Sequence, residues 1–184
     1  MEIYAVIHQS ETFLYKYDNF SKFGFFYKRN VKELADEYIK ILSQRLAKFE
    51  CGKLTRCDDI GIEGVVLYVY RQDNKSNTYI VCSHNVNRLI ILNVLTRFFG
   101  LFDNNQRNNL LQEFNEHPEK FIDKIEQINE QLAQTKEILI DNIDKILDRG
   151  EHIDVLLQKS ETLSMDSKEF AIRAKKLNSC CVLL

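Results

Sequence analysis

The chain has 184 residues, 45% of them hydrophobic and 28% charged, with a net charge of −2 and a single proline. That length holds one globular domain plus an extended segment, and lysines and arginines scattered without a net positive charge exclude an electrostatic nucleic-acid binder. Cys51, Cys57 and Cys82 match no zinc spacing and read as free thiols in a reducing compartment, so no metal is expected.

In chain order, Ile3 to His8 and Phe13 to Tyr17 predict paired strands across the turn at Gln9-Ser10-Glu11. An aromatic segment, Phe23-Gly24-Phe25-Phe26-Tyr27, has no decisive period. From Val31 to Phe49 the apolar residues Val31, Leu34, Ala35, Tyr38, Leu42 and Phe49 keep helical spacing and predict a helix over one sheet face. A weak strand near Lys53 to Cys57 follows, then strands at Gly64 to Tyr70 and Thr78 to Cys82, joined by the polar loop 72–77. The near-continuous apolar run Val65-Val66-Leu67 predicts strands covered on both faces. A helix from Val86 to about Phe102 supplies the second cover, the Asn-rich stretch 104–109 reads as a linker, and a further helix runs towards Phe121. Strands, helix, strands, helices make an α+β sandwich.

Beyond residue 121 the pattern changes. Ile125, Ile128, Leu132, Thr135, Leu139, Asn142, Ile146, Arg149, Ile153, Leu156, Ser160, Leu163, Ser167, Phe170, Ala174 and Leu177 follow one another at gaps that alternate strictly between three and four. That is a coiled-coil seam, far longer than the ~25 residues beyond which a periodic run ceases to suggest an ordinary globular helix. Arg149 sits near its middle. A guanidinium at a seam position costs several kcal/mol unless acceptors surround it, and two facing copies repel, so the seam implies partner helices that offer neutral acceptors such as glutamine amides. The competing assignment for one seam arginine is a snorkelling side chain whose head reaches water.

The chain closes on Cys180-Cys181-Val182-Leu183-Leu184. Cys181, Val182, Leu183 and Leu184 form a prenylation box whose terminal Leu favours geranylgeranyl. One lipid gives only marginal attachment, and Cys180 is placed to carry a second. The run from Val86 to Phe102 is interrupted by Asn87, Arg88, Asn93, Thr96 and Arg97 and fails the ~20-residue requirement for a spanning helix. Met1-Glu2-Ile3-Tyr4 lacks a signal-like basic region, so the expectation is a cytoplasmic protein that attaches to membranes from the cytosolic side.

The stretch Leu147-Asp148-Arg149-Gly150-Glu151-His152-Ile153-Asp154, with Lys159-Ser160-Glu161 and the ending Asn178-Ser179-Cys180-Cys181, resembles the R-SNARE motif of the prenylated longin-type SNAREs of the YKT-six family. The resemblance implies an N-terminal longin (profilin-like) domain, 1–121, whose mixed or antiparallel five-stranded sheet is covered by helices. An R-SNARE coiled-coil helix, 122–179, and a lipidated tail, 180–184, would follow. It further implies that Arg149 is the central ionic layer meeting three glutamines of Q-SNARE helices, with the fifteen other seam residues as packing layers of a parallel four-helix bundle. Cys181 would carry the prenyl group and Cys180 a palmitoyl or second prenyl group. Leu184 departs from the family, where the last residue is typical of farnesylation.

By the same resemblance the protein would drive vesicle fusion, cycling between cytosol and Golgi, endosomal or vacuolar-type membranes. Its longin domain would fold back on the SNARE segment, with Tyr38 the nearest match to the family's critical aromatic and plain core packing the competing role. A lipidated tether or inhibitory SNARE needs the same seam and stands as the alternative. No phosphate-cradling glycine loop is present, and His8, His84, His117 and His152 are scattered. Asp58-Asp59 reads as a solvated acidic loop. The expectation is therefore no catalysis, no cofactor and no small-molecule substrate.

Overall fold

The computed structural model describes residues 1–58, 60–122, 137–140 and 143–180. Among the described residues six strands form one sheet: β1 (Ile3–Gln9), β2 (Leu14–Asp18), β3 (Lys53–Cys57), β4 (Val65–Arg71), β5 (Asn77–Ser83) and β6 (Glu137–Ile140), in the spatial order β2-β1-β5-β4-β3-β6. The first five pair antiparallel, where the resemblance left a mixed or antiparallel sheet open, with registers such as Val6 opposite Tyr17 and Leu67 opposite Val81. The sixth comes from the tail and pairs parallel to β3.

Residues β4 and β5 are buried on both faces, which is why their sequences run apolar instead of alternating. Val65, Leu67, Val69, Tyr79 and Val81 face one core, and Val66, Tyr68, Tyr70, Ile80 and Cys82 face the other. The first core is covered by α1 (Phe25–Ser43), which presents Val31, Leu34, Ala35, Tyr38 and Leu42 at helical spacing. The helix begins six residues earlier than the apolar period suggests, taking Phe25 to Tyr27 as its first turn, and ends before Phe49, which enters the core after the 3-10 turn Leu46–Lys48.

The second core is covered by α2 (Arg88–Phe99), α3 (Asn104–Glu116) and α4 (Glu119–Ile122). Asn87 caps α2 by accepting from the Ile90 amide at 3.1 Å. The stretch 104–109, expected as a linker, is instead the start of α3. Its propensity is poor, but Asp103 caps it through the Gln106 amide, and Leu110, Leu111 and Phe114 bury its face. The asparagines dock the helix: Tyr15 donates to Asn108 Oδ1 at 2.8 Å, while Asn115 accepts from the Ile3 amide and donates to the Ile3 carbonyl at 2.8 and 2.9 Å.

The tail does not continue as one helix. Its described pieces are β6, a 3-10 turn (Ile143–Ile146), α5 (Ile153–Lys159) and α6 (Met165–Cys180). Where the seam alone implies a continuous coiled-coil helix, the domain's own surface offers this segment other partners: an open strand edge at β3 and the outer side of α1.

Candidate functional site: the tail packed on the domain

Strand β3 is the edge of the five-stranded sheet, and an edge leaves backbone donors and acceptors to be filled. The tail fills them, with Thr55 opposite Ile138 and Cys57 opposite Ile140, and the Asp58 amide donates to the Ile140 carbonyl at 3.1 Å. A strand turns alternate side chains to opposite faces. Ile140 therefore packs on the first core while Leu139, a seam residue, stands 62% exposed.

Past β6, Ile143, Ile146, Leu147, Ile153, Leu157 and Leu163 join the first core, with Leu156 and Phe170 packed at its margin. Each fully buried aliphatic side chain is worth about 1.5–3 kcal/mol relative to exposure. Ser160 and Ser167 are also buried. Of the seam, then, Ile146, Ile153, Ser160, Leu163 and Ser167 are covered by the domain, Leu156, Phe170 and Ala174 partly so, and Arg149 is exposed. Ile125, Ile128, Leu132, Thr135 and Asn142 lie outside the described residues, as do Cys181, Val182, Leu183 and Leu184. The side chains of Leu177 and Cys180 are likewise not described.

The polar seam position Ser167 makes a poor helix-bundle layer, yet here it and its off-seam neighbours Thr162 and Ser164 find partners on α1. Glu33 accepts from the Ser164 amide at 3.0 Å, the Ser164 hydroxyl at 2.6 Å, the Ser167 hydroxyl at 2.8 Å and Arg29 Nε at 2.7 Å. The carboxylate thereby sits at the N-terminus of α6, where unpaired amides and the helix dipole favour an anion. Partial burial pushes the Glu33 carboxyl up, but the hydrogen bonds from Ser164, Arg29 and Ser167 outweigh it and hold the group at about 2. One turn on, Glu37 accepts from the Thr162 hydroxyl and Lys40; these bonds likewise hold its carboxyl low against burial. Asn30 Oδ1 accepts from the Ser167 hydroxyl at 3.2 Å.

Two ion pairs close the far end of α1. Arg45 Nη2 meets Glu151 at 2.6 Å and Lys48 meets Asp148 at 2.5 Å, so the acids flanking Arg149 are engaged by the domain. Tyr38 lies 3% exposed in the core that the tail completes, and a Cβ at Gly61 would stand 3.0 Å from its hydroxyl. Its surroundings are those of a core residue on the inner face of α1. The seam pattern gave no sign of Glu33, Glu37, Arg45 or the β3 edge. The only sequence trace of them is the run of hydroxyls from Ser160 to Ser167, more polar than a packing seam requires.

A cleft of about 1140 Å³ opens between the start of α1 and α6, lined among others by Phe25, Tyr27, Lys28, Phe170, Arg173 and Ala174. Cys57 and Cys82 are buried, and burial pushes the Cys57 thiol up to about 12 and the Cys82 thiol higher still, which makes both poor nucleophiles. Among the described residues no helix is long and apolar enough to cross a membrane.

A two-core α+β sandwich whose C-terminal segment carries the arginine-centred seam is a longin fold joined to a SNARE segment. Residues 124–182 match the family described as Synaptobrevin. Over 62 residues, 34% of this chain and 31% of each relative, the sequence is 47% identical to the Synaptobrevin homolog YKT6 of Yarrowia lipolytica and 52% identical to the VAMP-like protein YKT62 of Arabidopsis thaliana. It is 44% identical to the Synaptobrevin homolog YKT6 of Saccharomyces cerevisiae over the same length. The match thus spans about a third of the curated relatives. Residues 124–182 are thus similar to the C-terminal segment of YKT6-type synaptobrevin homologs.

Proposed function

We propose that the protein is a fusion R-SNARE held closed by its own longin domain. On release, residues from about 122 to 179 join three glutamine-bearing Q-SNARE helices, with Arg149 among the glutamines as central layer and the other seam residues as packing layers. The observation that carries this reading is double use of one set of side chains. Ile146, Ile153, Ser160, Leu163 and Ser167 are buried against the domain, and the same residues lie on the seam that a bundle must bury. They cannot occupy both sites at once. Closure and assembly therefore compete, and the domain's affinity for its tail subtracts directly from the drive to assemble.

Arg149 fits this competition. It rests in water while the tail is closed and awaits neutral acceptors in the bundle, where it would fix register. The anchor would be a prenyl group on Cys181 with palmitate or a second prenyl on Cys180, and Cys181, Val182, Leu183 and Leu184 supply the prenylation box. The cleft between α1 and α6 lies beside the helix that leads to Cys180 and would shelter a lipid chain in the cytosolic, closed form. Tyr38 would contribute as part of the core against which the tail rests.

The test combines a separated domain, 1–121, with a tail peptide, 122–184, and reconstituted vesicles bearing Q-SNARE helices. Binding of the peptide to the domain, slower bundle assembly by the full chain than by the peptide, and lipid mixing by the lipidated chain are expected. Failure of 1–121 to bind the tail would refute the closed state. Bundle formation without lipid mixing would favour the inhibitory or tethering alternative.

A further inference from the structure

Ile146 and Ile153 are 3% and 5% exposed, yet Arg149 between them on the seam is exposed. On an unbroken helix the three share one face, because steps of three and four residues return to the same side. A surface that covered both isoleucines there would cover the guanidinium as well. The chain avoids this by breaking at Gly150, whose φ of +85° lies in the left-handed region.

The turn is tied on both sides of that glycine. The Glu151 amide donates to the Asp148 carbonyl at 2.9 Å, and the Asp148 amide donates to a Glu151 carboxylate oxygen at 2.9 Å. That oxygen also accepts from Arg45 at 2.6 Å. Further on, Asp144 accepts from the Ile153 amide at 2.8 Å and so serves the start of α5, which His152 does not cap.

We infer that Gly150 is the positioning residue that lets the tail bury Ile146 and Ile153 on its own domain while Arg149 stays in water, and that it thereby sets the ratio of closed to helical tail. The inference rests on the closed-state reading above. Glycine serves both ends of this equilibrium: it takes the left-handed turn without a Cβ penalty, and it weakens the helix that competes with closure. Nothing lies within 4 Å of a Cβ built at Gly150. A methyl group there would act through backbone preference alone.

Alanine at this position would disfavour the left-handed turn by roughly 5- to 30-fold and favour the helical tail by roughly 4-fold. Together these shift the closed-to-helical ratio by roughly 20- to 120-fold. Asparagine, which tolerates the left-handed region, should shift it less. The experiment is amide hydrogen exchange on the full chain, comparing wild type, Gly150→Ala and Gly150→Asn, with β4 and β5 amides reporting the domain and α6 amides reporting closure. The expected result is α6 exchange accelerated roughly 20- to 120-fold in Gly150→Ala, less in Gly150→Asn, with β4 and β5 unchanged. A protected wild-type α6 that is equally protected in Gly150→Ala, or a loss of protection shared by β4 and β5, would overturn the hinge and leave the closed state standing. Wild-type α6 amides exchanging as fast as in the isolated tail peptide would overturn the closed state itself.

Discussion

Replacing Glu33 by Gln tests the α1 carboxylate as a clasp on the tail. Glu33 accepts three hydrogen bonds from Ser164 and Ser167 and one from Arg29 on its own helix. A carboxyl held at about 2 instead of 4.5 corresponds to roughly 3 kcal/mol of preference for the charged form. Its side chain is 22% exposed, so water screens part of that, and the Arg29 pair, whose cation is 73% exposed, accounts for a few tenths more. About 2 kcal/mol then belongs to the tail, or roughly 30-fold in the closed-to-open ratio. Glutamine retains one acceptor oxygen, so a loss of about 10- to 30-fold is expected. Hydrogen exchange of α6 amides in the full chain measures it, with β4 and β5 as internal reference. Unchanged α6 protection, or loss shared equally by the sheet, would show that the carboxylate does not hold the tail.

The same clasp predicts a pH dependence. Because the folded value of Glu33 is depressed, its contribution is complete above the ordinary carboxyl value near 4.5 and is lost as pH falls towards 2. Glu37, Asp148 and Glu151 are shifted the same way. Energy transfer between dyes on the domain and α6 should stay constant above pH 5 and drop between about 4.5 and 2; a drop centred near neutrality would contradict this. Arg149→Leu should leave α6 protection within about twofold, since Arg149 is exposed when the tail is closed. It should nevertheless loosen register and partner choice in cross-linked bundles. Cys181→Ser should leave the protein in the soluble fraction, whereas Cys180→Ser should retain weak, reversible membrane association; equal retention would remove the two-lipid anchor.

The five-stranded sheet was largely legible in the residues themselves. Val65-Val66-Leu67 marked a strand covered on both faces, and the spacing of Val31, Leu34, Ala35, Tyr38 and Leu42 marked the helix above one of them. The start of α3 was not, because an asparagine run scores as a loop until Leu110, Leu111 and Phe114 have a sheet to bury against. Nor was the carboxylate pair on α1: Glu33 and Glu37 at a spacing of four look like any solvated helix face, and only the tail's hydroxyls distinguish them.

Periodicity alone predicts that residues 125 to 177 carry a helical seam with Arg149 near its middle, since a strict alternation of three and four is the coiled-coil period. Tertiary structure decided what that seam does when no acceptors are present. An open β3 edge captured Glu137–Ile140 as a strand, and the α1 carboxylates drew Ser164 and Ser167 to the domain. Gly150 supplied the backbone turn between them. These contacts join residues about 80 to 135 apart in the chain, beyond the reach of local pattern, and together they outweigh a helix that cannot bury its apolar side by itself.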